Sequence, residues 1–157
     1  MPTKREVNQA LEFYGVASGK LDVADCRSLG IPPARRRQHE AGEQVALFQW
    51  ARMMEKQHPE LTLLHHIPNG GSRKSAIEGA HLKAQGVRAG VPDICLPVAR
   101  GGYHGLYIEL KATGGRVQDT QRVWIDALAA QGYKAIVAFG FEQARAAIEQ
   151  YLRGEAT

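Results

Sequence analysis

Two short apolar runs, PDICLPV at 92–98 and HGLYIELK at 104–111, flank the segment Ala99-Arg100-Gly101-Gly102-Tyr103. Strand-length runs joined by a loop with paired glycines predict a β-hairpin, and the rest of the chain must fold around it. Val45, Leu47, Phe48, Ala51 and Met54 recur with helical period over 39–54, and His58-Pro59 closes that pattern. LTLLHHI at 61–67 is β-prone and runs into Pro68-Asn69-Gly70-Gly71, so a strand and a tight turn are expected there. Further helices are predicted over 73–85, over 118–131, where Val123, Trp124, Ala127 and Leu128 share one face, and over 141–152, with a strand, KAIVAF, at 134–139. The fold class is therefore α/β, a layered domain with a small mixed sheet of about four strands flanked by helices.

Ahead of this unit, residues 4–14 carry Val7, Leu11 and Tyr14 at helical spacing, and 15–38 read as an irregular arm rich in glycine and proline. The expected division is an accessory helix and linker over 1–38 and the main domain over 39–157. A length of 157 residues suits one buried core rather than two. With 44% hydrophobic and 23% charged residues, disordered, collagen-like and membrane classes are excluded. The net charge of +4 favours a polyanionic partner, and Arg35-Arg36-Arg37 reads equally well as a phosphate contact or a solvated linker. Cys26 and Cys95 are far apart and form no metal-ligand pair, Cys95 falling in a core strand. No signal peptide is evident, and no apolar run approaches the roughly 18 residues of a membrane span, so an intracellular location is expected.

Asp93 opens one strand of the hairpin and Glu109 lies near the end of its antiparallel neighbour, which brings two remote carboxylates to one sheet edge. The two-residue strand period sends Glu109 and Lys111 to one face and Leu110 to the other. A pair of carboxylates suits a hard divalent cation, which also accepts carbonyl oxygen, here that of Leu110. An ammonium beside it, from Lys111, can orient a nucleophile or offset developing charge on phosphorus. The same residues taken singly also fit an ordinary acid–base pair on a strand.

Gly90-Val91-Pro92-Asp93 followed by Ile108-Glu109-Leu110-Lys111, with Gln121 in the next helix, resembles the VRR-NUC family of the PD-(D/E)xK nuclease superfamily. The resemblance covers about residues 39–152. It implies a restriction-endonuclease-like core and an endodeoxyribonuclease using Mg²⁺ or Mn²⁺. Asp93, Glu109, Lys111 and Gln121 would be catalytic, and Glu40, Asp93, Glu109 and Leu110 would ligate the metal. Glu40 is preferred as the acid of the first helix because it shares a face with Gln44, and Glu43 is the alternative. Arg73, Lys74 and Arg88 flank the glycine-rich loops as candidate DNA contacts. Stand-alone family members are associated with phage and bacterial genomes and with branched DNA such as Holliday junctions or flaps. Action on branched DNA in replication, repair or recombination is thus implied, and symmetrical cutting of a junction calls for a homodimer.

Three alternatives compete. His65, His66, Asn69 and His81 superficially resemble a histidine–asparagine–histidine nuclease site. A sequence-specific restriction-type enzyme would need base-reading loops longer than this chain offers. A non-catalytic DNA-binding protein could keep the same fold.

Overall fold

The hairpin organises the sheet. The computed structural model describes residues 33–68 and 76–154, with side chains from 41 and from 79 onward in those two stretches. Strand β2 (Ile94–Leu96) runs antiparallel to β3 (Leu106–Lys111), with Ile94 opposite Ile108 and Leu96 opposite Leu106. Arg100 and Tyr103 exchange both backbone hydrogen bonds, at 3.1 and 2.9 Å, across Gly101 and Gly102, which hold φ of 55° and 85°. Two successive positive φ values close this isolated two-residue bridge between the end of β2 and the start of β3, and glycine reaches them without a Cβ clash.

Around this pair the sheet has the order β1-β2-β3-β4, with β1 (His65–His66) antiparallel to β2 and β4 (Lys134–Phe139) parallel to β3. A parallel neighbour requires a crossover, supplied by helix α3 (Asp119–Ala130). Helices α1 (Pro33–Met54), α2 (Ala76–Ala84) and α4 (Gly140–Leu152) complete the described elements.

The core occupies one face of the sheet. Leu106, Ile108 and Leu110 alternate inward from β3 and meet Leu47, Trp50 and Ala51 of α1 and Ala144, Ile148 and Tyr151 of α4. The opposite face of β3 carries Tyr107, Glu109 and Lys111, and α3 lies on that side with none of its residues fully buried. The molecule is thus a three-layer α/β arrangement with one thick and one thin helical layer. Among the described residues no helix is long and apolar enough to cross a membrane.

Three expectations from sequence change. Helix α1 starts at Pro33 rather than near His39, so the arginine triplet belongs to the helix and not to an irregular arm. Proline suits a first helical position because its missing N–H would have no partner there. The inward stripe of α1 is Glu43, Ala46, Leu47, Trp50 and Ala51, whereas Val45 is 50% exposed. Periodicity chose a stripe rotated by about one residue, because it gave Val45 weight and Trp50 none.

The run expected as a strand over 61–67 contains a 3-10 helix at Pro59–Leu63, and only His65 and His66 pair. Pro59 begins the turn, Thr62 Oγ1 closes it on the Pro59 carbonyl at 2.7 Å, and Leu61 anchors it in the core. The proposed accessory helix at 4–14 lies outside the described residues. Strand β4 coincides with the KAIVAF run, and Cys95 is buried in β2 as expected.

Ile108 is fully buried between Ile94 and Ile136 at the centre of the sheet. Ile108→Ala should reduce unfolding free energy by about 2–5 kcal/mol in urea titrations, with little change in the slope against denaturant.

Candidate active site

Continuing the β2–β3 register one residue past Ile94 and Ile108 sets Asp93 opposite Glu109. Asp93 is clamped through its backbone. Its carbonyl accepts Ile67 N at 2.7 Å and His66 Nδ1 at 2.8 Å, both from the β1 side. Its carboxylate Oδ2 accepts the Leu110 backbone N–H at 3.2 Å, replacing a ladder partner where β2 has ended. Asp93 therefore both ends one strand and caps the exposed amide of the next.

Glu109 is 1% exposed, the most deeply buried carboxylate among the described residues. Its Oε1 receives two donors, Lys111 Nζ at 2.6 Å and Gln121 Nε2 at 2.5 Å. Oε2 is buried and receives no hydrogen bond. Burial, reinforced by the neighbouring Asp93 carboxylate, pushes the Glu109 carboxyl up from 4.5 to about 7, against the opposing pull of Lys111. Two carboxylates are thus held together at a cost that neither the ammonium nor the amide removes.

Gln121 is fixed at both ends of its amide. Its Oε1 accepts Gln118 N at 2.8 Å in a capping box that starts α3, which turns its NH₂ toward Glu109. The amide orientation follows from the two contacts together, since a flipped group would lose both.

Lys111 follows Glu109 at the strand period, and its side chain is 12% exposed. Its stem is flanked by Gly115, where a Cβ would stand 3.1 Å from the Lys111 Cβ and 2.9 Å from the Ala112 carbonyl.

The residues chosen from sequence separate as follows. Asp93, Glu109, Lys111 and Gln121 come together in one cluster, and the Leu110 backbone joins it through Asp93 while the Leu110 side chain enters the core. Glu43 is buried, and its Oε2 accepts the Phe141 N–H at 2.6 Å, so its charge sits at the N-terminus of α4. The side chain of Glu40 lies outside the described residues, as do Arg73, Lys74 and Asn69. Arg88 is exposed. The histidines do not converge: His65 Nδ1 bonds the Leu63 carbonyl, His66 that of Asp93, and His81 the side chain of Gln85. Sequence reasoning put Trp124 on the apolar face of its helix and missed that its indole N–H donates to the Ala89 carbonyl at 3.0 Å.

Among the described residues no three His, Cys, Asp or Glu side chains form a cation-binding cluster. The Asp93–Glu109 pair nevertheless fits a divalent cation. Oε2 of Glu109 is a buried acceptor without a donor, and such an atom costs about 1–3 kcal/mol unless something positive meets it. Hard cations are commonly held by one or two carboxylates, the remaining oxygens coming from water and phosphate.

The family model for the VRR-NUC domain matches residues 33–142. A solved structure described as a VRR_NUC domain protein is similar to the chain at 33% identity and a TM-score of 0.63, covering 74% of this chain and 89% of that one. No curated protein matches.

The raised Glu109 pKa has a definite sign for stability. Below pH 4.5 the carboxyl is protonated in both folded and unfolded chains; between 4.5 and about 7 only the folded chain keeps its proton, so stability falls as pH rises. In chelator, Glu109→Gln should therefore melt above the wild type at pH 8, and the difference should vanish as the pH is lowered to 4.5. Melting curves across that range check both the direction and the pH window.

Proposed function

Because the chain belongs to the VRR-NUC domain family, a nuclease family, we propose that it is a DNA endonuclease that uses Mg²⁺ or Mn²⁺ held at Asp93 and Glu109. The observation that carries this reading is the buried Oε2 of Glu109, left without a donor beside a second carboxylate while Lys111 and Gln121 both engage Oε1. When bound, the divalent ion supplies Lewis acidity toward the phosphodiester and its attacking water.

The chain's own groups account for the rest. Lys111 places an ammonium next to the carboxylate pair, where it orients the attacking water and offsets negative charge developing on the phosphoryl oxygens. Gln121 holds Glu109 in its rotamer from the α3 side, leaving Oε2 directed away from both donors. Asp93, tied at its backbone by β1 and at Oδ2 by Leu110, presents a carboxylate whose position does not depend on α3. The Leu110 carbonyl and an acid of α1 complete the proposed ligand set, Glu40 being the candidate since Glu43 is engaged by the start of α4. Water adds to phosphorus and the 3′ oxygen leaves with a proton, so the product carries a 5′-phosphate.

Branched DNA, a junction or a flap met in replication, repair or recombination inside the cell, is the proposed substrate, and Arg73, Lys74 and Arg88 are proposed phosphate contacts. The thin layer over the site face supports a homodimer. Helix α3 buries no residue fully, Val123 on it is 66% exposed, and β4 is an edge strand in parallel pairing, an arrangement that most proteins cover. Val123→Asp should shift sedimentation from dimer to monomer; a wild type that already sediments as a monomer ends the dimer reading.

Incubating labelled flaps, forks, four-way junctions and plain duplex with Mg²⁺ or Mn²⁺ tests the activity. Asp93→Ala, Glu109→Ala and Lys111→Ala should each lower the cutting rate by at least about 100-fold while leaving the far-ultraviolet circular dichroism unchanged. Tight DNA binding by the wild type with no cutting of any substrate in either metal would overturn the proposal.

A further inference from the structure

Helix α3 carries Gln121 to the carboxylate pair and rests on the sheet through the half-buried stripe Gln121, Trp124, Ile125 and Leu128. None of its residues is fully buried, so the packing that usually fixes a helix is weak on this side of the sheet. Two contacts tie its first turns to the segment leading into Asp93. Trp124, one turn after Gln121 on the same helix face, donates its indole N–H to the Ala89 carbonyl at 3.0 Å. Next to it, Gly90 holds φ of +90°, and a Cβ there would stand 2.4 Å from the Thr120 carbonyl oxygen, so the loop and helix backbones meet directly. Backbone-to-backbone contact of this kind tolerates no side chain, and the indole bond sets the rotation of the helix about it.

We infer that Trp124 is a positioning residue: its bond to Ala89 locks α3 onto the loop that leads into Asp93 and so delivers the Gln121 amide to Glu109. This rests on the nuclease reading for its consequence in catalysis, but not for the geometry itself. Without the indole bond α3 can slide or roll on the Gly90 contact. A shift of well under the length of a hydrogen bond would detach Gln121 from Oε1, because the amide is already tethered at its other end by Gln118. Glu109 would then keep Lys111 as donor but lose its second restraint, and its carboxylate would sample further rotamers. Misplacement on that scale costs about one to two orders of magnitude in rate without removing any reacting group.

Trp124→Phe keeps an aromatic side chain but removes the indole N–H together with part of the ring volume, so melting is followed alongside to separate lost packing from lost positioning. Two readouts on the full chain test the idea: cutting kinetics on whichever DNA the wild type cleaves in Mn²⁺, and the Gln121 side-chain amide resonances in ¹H–¹⁵N spectra, assigned by their loss in Gln121→Ala. The expected result is a kcat about tenfold lower with KM within twofold, melting within a few degrees of wild type, and Gln121 amide signals displaced toward those of a solvent-exposed glutamine. A purely structural indole would instead lower kcat only in proportion to the folded fraction and leave the amide signals in place, and that outcome overturns the inference. Unchanged kcat with unchanged amide signals overturns it as well. If the wild type cleaves nothing, the nuclease reading fails by itself, and the amide displacement still decides whether Trp124 positions Gln121.

Discussion

The burial of Glu109 beside Asp93 is the constraint around which the rest of this structure is arranged. Charges of like sign are brought together at the end of the β2–β3 pairing, where water is excluded from one of them almost entirely. Opposing this are one ammonium, one amide and the ladder hydrogen bonds of the strands, and only the first two touch the buried carboxylate. A fold that keeps such a pair must have a rigid frame on the other side of the sheet. That frame is the core of α1, α4 and the inward residues of β2 and β3, which holds the register that sets Asp93 opposite Glu109. A one-residue slip would move Glu109 into the core and Leu110 to the site face.

Much of this was legible in the chain because the relevant signals are local. Gly101-Gly102 between two apolar runs marks a hairpin turn, and the strand period puts Glu109 and Lys111 on one face. The Arg100–Tyr103 pairing across the turn is one residue out of step with the Ile94–Ile108 ladder, so the turn does not set the register, and the grouping of Asp93, Glu109 and Lys111 as a site came from the resemblance. Gln121 came from the resemblance, and its capping contact with Gln118 explains why a glutamine can serve there. What spacing could not convey is contact between backbones. Gly90 reads as a turn glycine, and nothing in the letters marks it as the point where Thr120 arrives. The helical face of Trp124 was legible, but a polar use for its N–H was not, because an indole pattern looks the same whether or not a carbonyl awaits it.

Errors in reading the elements share a cause. Pro59 and Leu61 turn a β-prone run into a 3-10 helix because one buried leucine and a proline-set start outweigh intrinsic strand preference in a segment at the sheet edge. The face of α1 was misplaced because Val45 and Trp50 compete for the same stripe, and tertiary packing against β3 and α4 chose Trp50. Both cases show local preference yielding where long-range contacts decide, and neither disturbs the hairpin, whose signals are redundant.

The acid of the first helix illustrates how the frame and the site are joined. Glu43 points into the protein and accepts the Phe141 N–H, with its oxygens in ordinary contact range, 3.7 Å, of where a Gly140 Cβ would be; Gly140 holds φ of +79°, which favours glycine there. Phe139, just before that turn, is in register with Lys111 across β3 and β4. The N-terminus of α4, the carboxylate of Glu43 and the end of β3 therefore meet at one end of the sheet, and the positive end of the helix dipole offsets a buried negative charge there. The α1 backbone sets Glu40 three residues earlier, about 4.5 Å along the axis and on a neighbouring face. With Glu43 already engaged by α4, these two acids are not equivalent: one closes the joint between the helices of the core layer, and the other lies a turn further toward the start of the helix.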